Sequence, residues 1–184
     1  LIVIPTYNER DNIVGLMKAI HEAASDAHIL VVDDNSPDKT ADAVEKYALG
    51  CPGQVFVLRR AEKKGLGRAY VAGFKWGLER GYEFLTEMDA DWSHPPRFLK
   101  EMFRLAEAND FVIGSRYVKG GGAVNWGLSR RLISRGGSLY SRLILGVPIR
   151  DFTGVFNGYN AKVLKAVGLD SISSDGYSFQ IELK

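Results

Sequence analysis

The chain has 184 residues, 46% of them hydrophobic and 25% charged, with a net charge of +2. That length predicts one domain, and the composition excludes disorder, a collagen-like repeat and a disulfide scaffold. The lone cysteine, Cys51, allows no internal disulfide, and no apolar run approaches the ~18 residues a membrane span requires.

Taken in chain order, residues 1–5 form a short apolar run rich in β-branched side chains, the pattern of a buried strand. Residues 12–24 place Ile13, Leu16, Met17 and Ile20 at helical spacing. A second apolar strand over 29–32 is ended by the turn formers Asp33-Asp34-Asn35-Ser36-Pro37-Asp38. Helices over 40–47 and 67–79 then alternate with strands over 55–58 and 84–88. A helix over 96–108, with proline in its first turn, leads to a strand over 111–113. Alternation of this kind predicts an α/β fold of right-handed βαβ units, a Rossmann-like, mostly parallel sheet with helices on both faces. Ligands in such sheets bind at the carboxyl ends of the strands, where the polar clusters Thr6–Glu9, Asp33–Asp38, Asp89–His94 and Ser115-Arg116 all fall.

Asp89 and Asp91 flank the small Ala90. Carboxylates so close repel unless a cation or protons lie between them, and Mg²⁺ or Mn²⁺ completed by phosphate oxygens satisfies that condition. A pair of turn and cap acids leading into Pro95-Pro96 is the alternative. At the end of strand two, Asp34 is placed to accept hydrogen bonds from a nucleoside, while Asp38 and Thr40 suit turn and cap roles. No G-x-G-x-x-G follows the first strand and no Walker A lysine is present, which counts against a dehydrogenase and a P-loop ATPase. His21, His28 and Cys51 read as packing positions, and His94 as a turn residue or a ligand.

The charge is unevenly distributed. Residues 111–150 carry seven basic residues and no acid, leaving 17 basic against 22 acidic residues elsewhere. A segment of +7 on a body of −5 implies an anionic partner. Residues 129–145 read as a helix in which Arg130, Arg131, Arg135 and Arg142 punctuate aliphatic side chains, although Gly136-Gly137 argues against one unbroken helix. Such a helix either lies on an anionic membrane or holds a phosphate head group, or is a core helix with a solvated basic face. Nucleic acid is not expected, because no aromatic stacking platform is interleaved with the arginines.

The motifs Ile4-Pro5-Thr6-Tyr7-Asn8-Glu9, Val32-Asp33-Asp34-Asn35-Ser36-Pro37-Asp38, Asp89-Ala90-Asp91 and Gly114-Ser115-Arg116-Tyr117 together resemble the inverting family-2 glycosyltransferases of GT-A fold. Ser134-Arg135-Gly136, Asp151-Phe152-Thr153-Gly154 and Gly176-Tyr177-Ser178-Phe179-Gln180 are similar to the polyprenyl-phosphate (dolichyl-phosphate) mannosyltransferases within that family. The resemblance implies transfer of mannose from GDP-mannose to a polyprenyl phosphate with inversion. A polyprenyl-phosphate glucosyltransferase or another UDP-sugar transferase, and a non-catalytic nucleotide-sugar-binding module, are the alternatives.

By position, the resemblance implies that Pro5, Tyr7, Glu9, Val32 and Asp34 contact the nucleoside. Asp89, Ala90 and Asp91 would hold the diphosphate, with Asp89 and Asp91 on the metal. Arg116, Arg130 and Ser134 would meet the acceptor phosphate, and Asp91 and Arg116 would be catalytic. Three departures from the family pattern stand out: Lys39 replaces a usual Gly, Val155 and Asn157 replace a Gly and a basic residue, and Ser93 takes a position that is a metal-ligating Gln in relatives. We expect one GT-A catalytic domain over 1–184, truncated at both ends and lacking a basic loop that closes on the donor, with residues 115–150 as its acceptor- and membrane-facing segment. The expected location is the cytoplasmic face of a membrane, reached through a further transmembrane region or an anchoring partner.

Overall fold

The computed structural model of the chain describes residues 1–122, 127–174 and 176–184, excluding the side chains of Leu128, Arg130, Arg131 and Tyr177. Six strands form one sheet: β1 (Ile2–Thr6), β2 (Ile29–Asp33), β3 (Val55–Arg59), β4 (Phe84–Glu87), β5 (Phe111–Ile113) and β6 (Asn157–Asn160). Their order is β3-β2-β1-β4-β6-β5. The pairs β1–β2, β2–β3 and β1–β4 are parallel, and β6 runs antiparallel between β4 and β5. The sequence reading found five strands and missed β6, whose Asn-Gly-Tyr-Asn lacks both an apolar run and clean alternation.

Side chains alternate across the sheet as the strand period requires. Ile2, Ile4, Ile29 and Val31 face one core, packed by Ile13, Leu16 and Met17 of α1 (Arg10–Ala23), Val44 of α2 (Thr40–Ala48), and Leu99 and Met102 of α4 (Leu99–Ala106). Val3, Leu30, Val32 and Leu85 face the other, packed by Tyr70 and Phe74 of α3 (Leu66–Glu79), Leu164 of α6 (Ala161–Val167) and Phe179 of α7 (Gly176–Leu183). Helix α3 lies close to the sheet because Gly73 offers no side chain there. A Cβ at that position would stand 2.3 Å from Val3 Cγ1 and 3.1 Å from Val32 Cγ2.

Strand order reverses between β1 and β4, and the loops leaving their carboxyl ends open a crevice there. The predicted helix over 96–108 is a 3₁₀ turn, Pro96–Phe98, followed by α4. Helix α5 (Leu128–Leu145) runs unbroken through Gly136-Gly137, contrary to the interruption expected there. A Cβ at either glycine would meet nothing within 4 Å, so neither marks a close contact that bends the helix.

Candidate active site at the strand ends

The loop after β1 is tied to the loop after β2. Asn8 N donates to Ser36 Oγ, Glu9 N to Thr40 Oγ1 and Arg10 N to Asp38 Oδ2, each at 3.0 Å. The unpaired amides at the start of α1 thus find partners outside their own helix. Asp33 is a turn former, accepting from Thr6 Oγ1, Ser36 N and Ser36 Oγ. Asp38 accepts from Thr40 N and Oγ1 at 2.9 and 2.6 Å, the turn role expected for it. Lys39, in the family's glycine position, adopts φ +64°, the left-handed region where glycine is favoured.

The tied loops wall a cavity of about 310 Å³ lined by Pro5, Thr6, Tyr7, Glu9, Asp34, Asp89, Ala90 and Asp91, with Lys63, Gly65, Leu66 and Ala69 across from them. Seven of the eight residues expected around the donor are therefore gathered in one place. Val32 is the exception. Its side chain is fully buried on the α3 side of the sheet, packed toward Gly73, and does not line the cavity.

Within the cavity Asp34 accepts from Arg60 Nη1 at 2.8 Å. Burial pushes its carboxyl up, against the opposing pull of Arg60 and of the Lys64 amide. Lys63 lies over the Tyr7 ring, with Nζ 4.0 Å from its centroid, a cation–π contact that holds both at the rim. Sequence reading singled out neither Arg60 nor Lys63, since basic residues in a loop carry no pattern of their own.

The Asp-x-Asp segment leaves β4 through a tight turn in which Trp92 takes φ +64°. Asp89 is fixed from two sides. The fully buried Tyr70 donates its hydroxyl to Asp89 Oδ1 at 2.9 Å, and Asp89 N donates to His94 Nδ1 at 3.0 Å. That amide bond requires Nδ1 to be the acceptor, so His94 carries its proton on Nε2, 4.0 Å from Asp89 Oδ2. The His94 ring stacks on Phe156, and burial holds its pKa below the ordinary value. His94 thus positions Asp89 through its amide. Burial also pushes the Asp89 carboxyl up, partly offset by His94 and Tyr70. Asp91 Oδ1 accepts from Ser93 N at 3.0 Å, so Ser93 shapes the turn through its backbone.

Among the described residues no group of three or more His, Cys, Asp or Glu side chains is assembled to hold a metal unaided. Two cavity-lining carboxylates nevertheless fit a hard divalent ion of the kind that takes one or two carboxylates and completes its shell with substrate phosphates and water.

Behind the pair, Glu87 is fully buried and accepts from Asn157 Nδ2, Tyr159 Oη and Gln180 Nε2 at 2.9–3.2 Å. Burial raises its carboxyl. This network joins β4, β6 and α7 beneath Asp89, and it explains the Asn157 departure: the amide bridges Glu87 and Gln180 Oε1. Glu87, two residues before Asp89, carries no motif of its own that marks it in the sequence.

The second cluster lies around α5. Arg116 forms a two-pronged ion pair with the fully buried Asp151, Nε to Oδ2 at 2.8 Å and Nη2 to Oδ1 at 2.5 Å, and Nη2 also donates to Thr153 Oγ1. Burial acting alone would raise the Asp151 carboxyl, but the Arg116 bonds and charge hold it below its ordinary value. Ser134 is buried against Tyr117 Oη and Thr153 Oγ1, at 2.7 and 2.8 Å. Arg116 and Ser134 are thereby brought together as expected, whereas the Arg130 side chain lies outside the described residues. A groove of about 430 Å³ opens beside this cluster, lined in part by Arg116, Tyr117, Arg135, Leu139, Arg142 and Arg150.

Comparison with known proteins agrees with this geometry. The model of the family "Glycosyl transferase family 2" matches residues 1–168. Polyprenol monophosphomannose synthase of Mycolicibacterium smegmatis is 47% identical over all of this chain and 69% of its own length. Undecaprenyl-phosphate mannosyltransferase of Micrococcus luteus is 48% identical over all of this chain and 75% of its own. Dolichol-phosphate mannosyltransferase of Pyrococcus furiosus is 37% identical over 99% of this chain and 51% of its own. Among solved structures, glucosyl-3-phosphoglycerate synthase from Mycobacterium tuberculosis in complex with Mn²⁺, UDP and phosphoglyceric acid superposes with a TM-score of 0.70. It covers 99% of this chain and 61% of that one at 18% identity, a likeness of fold. With its sheet, its strand-end cavity and its relatives in agreement, this chain belongs to glycosyl transferase family 2.

Proposed function

We propose that this glycosyltransferase moves mannose from GDP-mannose to a polyprenyl phosphate of the dolichyl type, with inversion, to give a β-linked product. The observation that carries this reading is the gathering of Pro5, Tyr7, Glu9, Asp34, Asp89, Ala90 and Asp91 around one cavity, in a chain whose near relatives are named for mannose transfer to polyprenyl lipids.

In this reading the nucleoside lies among Pro5, Tyr7 and Asp34, and the diphosphate points toward Asp89 and Asp91. Mg²⁺ or Mn²⁺ bound there would supply neutralisation of the diphosphate as it leaves. Tyr70 and His94 keep Asp89 aimed into the cavity, so the carboxylate is pre-set before the donor arrives. Arg116 and Ser134, with Arg130 by sequence, receive the lipid phosphate. That phosphate is already ionised near neutral pH, and no strong general base is required. The arginines act by holding a second anion next to the first.

Helix α5 turns serines inward and apolar side chains outward. Ser134, Ser138 and Ser141 are buried, while Leu132, Ile133, Tyr140, Leu143 and Ile144 are 68–73% exposed. This supports a membrane-facing surface next to the acceptor site.

Transfer of label from GDP-mannose to a short polyprenyl phosphate, compared with UDP-glucose under the same conditions, tests the reading. Asp91→Asn is expected to abolish turnover at saturating Mn²⁺, and near-normal turnover would overturn the metal role. Preferential transfer from UDP-glucose would replace the mannose reading with the glucosyltransferase one.

A further inference from the structure

We propose that the groove between α5 and the 116–121 loop holds the phosphate head group of an anionic membrane phospholipid on Arg135, Arg142 and Arg150, beside the acceptor phosphate at Arg116. The proposal rests on reading α5 as membrane-facing.

Three guanidinium groups, Arg135, Arg142 and Arg150, line this groove of about 430 Å³. None of them pairs with an acid among the described residues, and residues 111–150 contain no acid at all. Arg116, at the groove's inner end, is neutralised by Asp151. A phosphate monoester carries about −1.5 to −2 charges near neutral pH. Arg135, Arg142 and Arg150 supply three positive charges against it, so an acceptor phosphate alone leaves about one unmatched.

The arrangement is oriented as well as charged. Arg135 and Arg142 are seven residues apart on one flank of α5, and the Arg135 guanidinium lies over the Tyr117 ring, 5.3 Å from its centroid. That stacking turns the group toward the groove. The exposed apolar stripe of α5 runs beside this flank. A helix bedded on that stripe brings its flanking arginines to head-group depth, their stems over apolar surface and their charges in the phosphate layer. Leu139 and Ile149 line the same groove, offering apolar contact to the glyceride portion of a lipid. A free phosphate ion has no use for such contact.

Flotation with vesicles of phosphatidylcholine alone, and of phosphatidylcholine mixed with phosphatidylglycerol in equal parts, tests this. The parent chain is compared with an Arg135→Gln/Arg142→Gln/Arg150→Gln variant. Each arginine at an anionic surface contributes roughly fivefold in partitioning, so the variant should bind the mixed vesicles about 100-fold more weakly. Both proteins should bind phosphatidylcholine vesicles equally and weakly, and inorganic phosphate should not displace the parent at constant ionic strength. Turnover of a short, water-soluble polyprenyl phosphate in neutral detergent should be the same for both.

Equal binding of parent and variant to the mixed vesicles overturns the site. A raised KM for the short acceptor in detergent also overturns it, by making the groove part of the acceptor subsite. Displacement by inorganic phosphate overturns the lipid assignment in favour of a free anion. A parent that binds both vesicle types equally well overturns the head-group site but leaves α5 as a membrane face; one that binds neither overturns both. Should the triple variant melt well below the parent, Arg142→Gln alone, with an expected loss of roughly fivefold, decides between the same outcomes.

Discussion

Replacing Arg116 by alanine should damage this protein twice, and the two injuries are separable. In the folded chain the Asp151 carboxylate is fully buried and accepts four hydrogen bonds, from Arg116 Nε, Nη2 and backbone N and from Gly154 N. Arg116→Ala removes both guanidinium bonds and the only charge paired with Asp151 among the described residues, leaving two amides to hold a buried anion. Breaking a buried pair from one side costs about 3–5 kcal/mol. For a chain of this size that is a fall in melting temperature of roughly 6–20 °C. Arg116→Ala/Asp151→Asn removes the stranded charge as well, and should recover more than half of that loss.

Thermal melting followed by acceptor kinetics separates the roles. In the double variant, stability returns while turnover of polyprenyl phosphate stays low, because the group proposed to meet the acceptor is still missing. Acidity supplies a further check. The Asp151 pKa is depressed in the folded parent, so the pair's contribution is present above the unfolded value of about 3.9 and lost as pH falls through the folded-state value. In Arg116→Ala the guanidinium's share of that depression is gone, leaving the amides and the Lys184 charge against burial, so the carboxyl takes up its proton at higher pH. The gap in melting temperature between parent and Arg116→Ala should therefore be widest near neutral pH and narrow under acid. A single variant that melts within about 2 °C of the parent at neutral pH would refute the buried-pair reasoning.

The other expectations concern positions that act at short range. Tyr70→Phe removes the hydroxyl that donates to Asp89 Oδ1, and loss of such an outer partner should weaken Mn²⁺-dependent donor binding about 10–100-fold by calorimetry; unchanged affinity would show that Asp89 is held by the turn alone. Lys39→Gly relieves a left-handed backbone at φ +64° and should stabilise the chain by about 1 kcal/mol in urea unfolding, a loss of stability counting against the strain. Gly73→Ala and Gly136→Ala should move in opposite directions. The first drives a Cβ to 2.3 Å from Val3 Cγ1 and should destabilise by about 1–3 kcal/mol; the second meets nothing within 4 Å and should gain about 0.5–1 kcal/mol of helix stability. Equal effects would mean that α3 does not press on the sheet as described.

The strand-end site was legible for a simple reason. Parallel strands buried on both faces are continuous apolar runs, as in Ile29–Asp33, so any polar cluster directly after one stands out. That contrast marks Thr6–Glu9, Asp33–Asp38 and Asp89–His94 in the sequence alone. Strand β6 gave no such contrast. Its asparagines have other tasks: Asn157 bridges Glu87 and Gln180 in the interior, and Asn160 caps α6 at the surface by accepting from Lys162 N. Polar residues that face one another inside a protein read, one at a time, as loop. Val32 lies off the cavity lining for the converse reason, since a family motif marks a stretch of backbone and does not say which side of the sheet each side chain takes.

Helix α5 carries the same point further. Apolar residues at Leu132, Ile133, Leu139, Tyr140, Leu143 and Ile144 have the spacing of an amphipathic helix whether that face meets a core or a membrane. Periodicity fixes the stripe but not its direction. The serines decide it. Ser134, Ser138 and Ser141 recur on the opposite side, and their burial is made possible by specific partners: Ser134 Oγ shares a hydrogen bond with Thr153 Oγ1, and Ser138 Oγ accepts from Phe152 N. With its small polar face fastened to the 151–153 loop, the helix turns its leucines outward, exposed among the described residues. The loop that anchors this face is also the loop that holds Arg116 through Asp151. The outward turn of α5 and the placement of Arg116 are thus one structural arrangement. A substitution that bulks out the serine face, such as Ser138→Leu, should therefore shift the helix off the 151–153 loop and raise the KM for polyprenyl phosphate while leaving affinity for the donor nucleotide near that of the parent. An unchanged KM would separate the two.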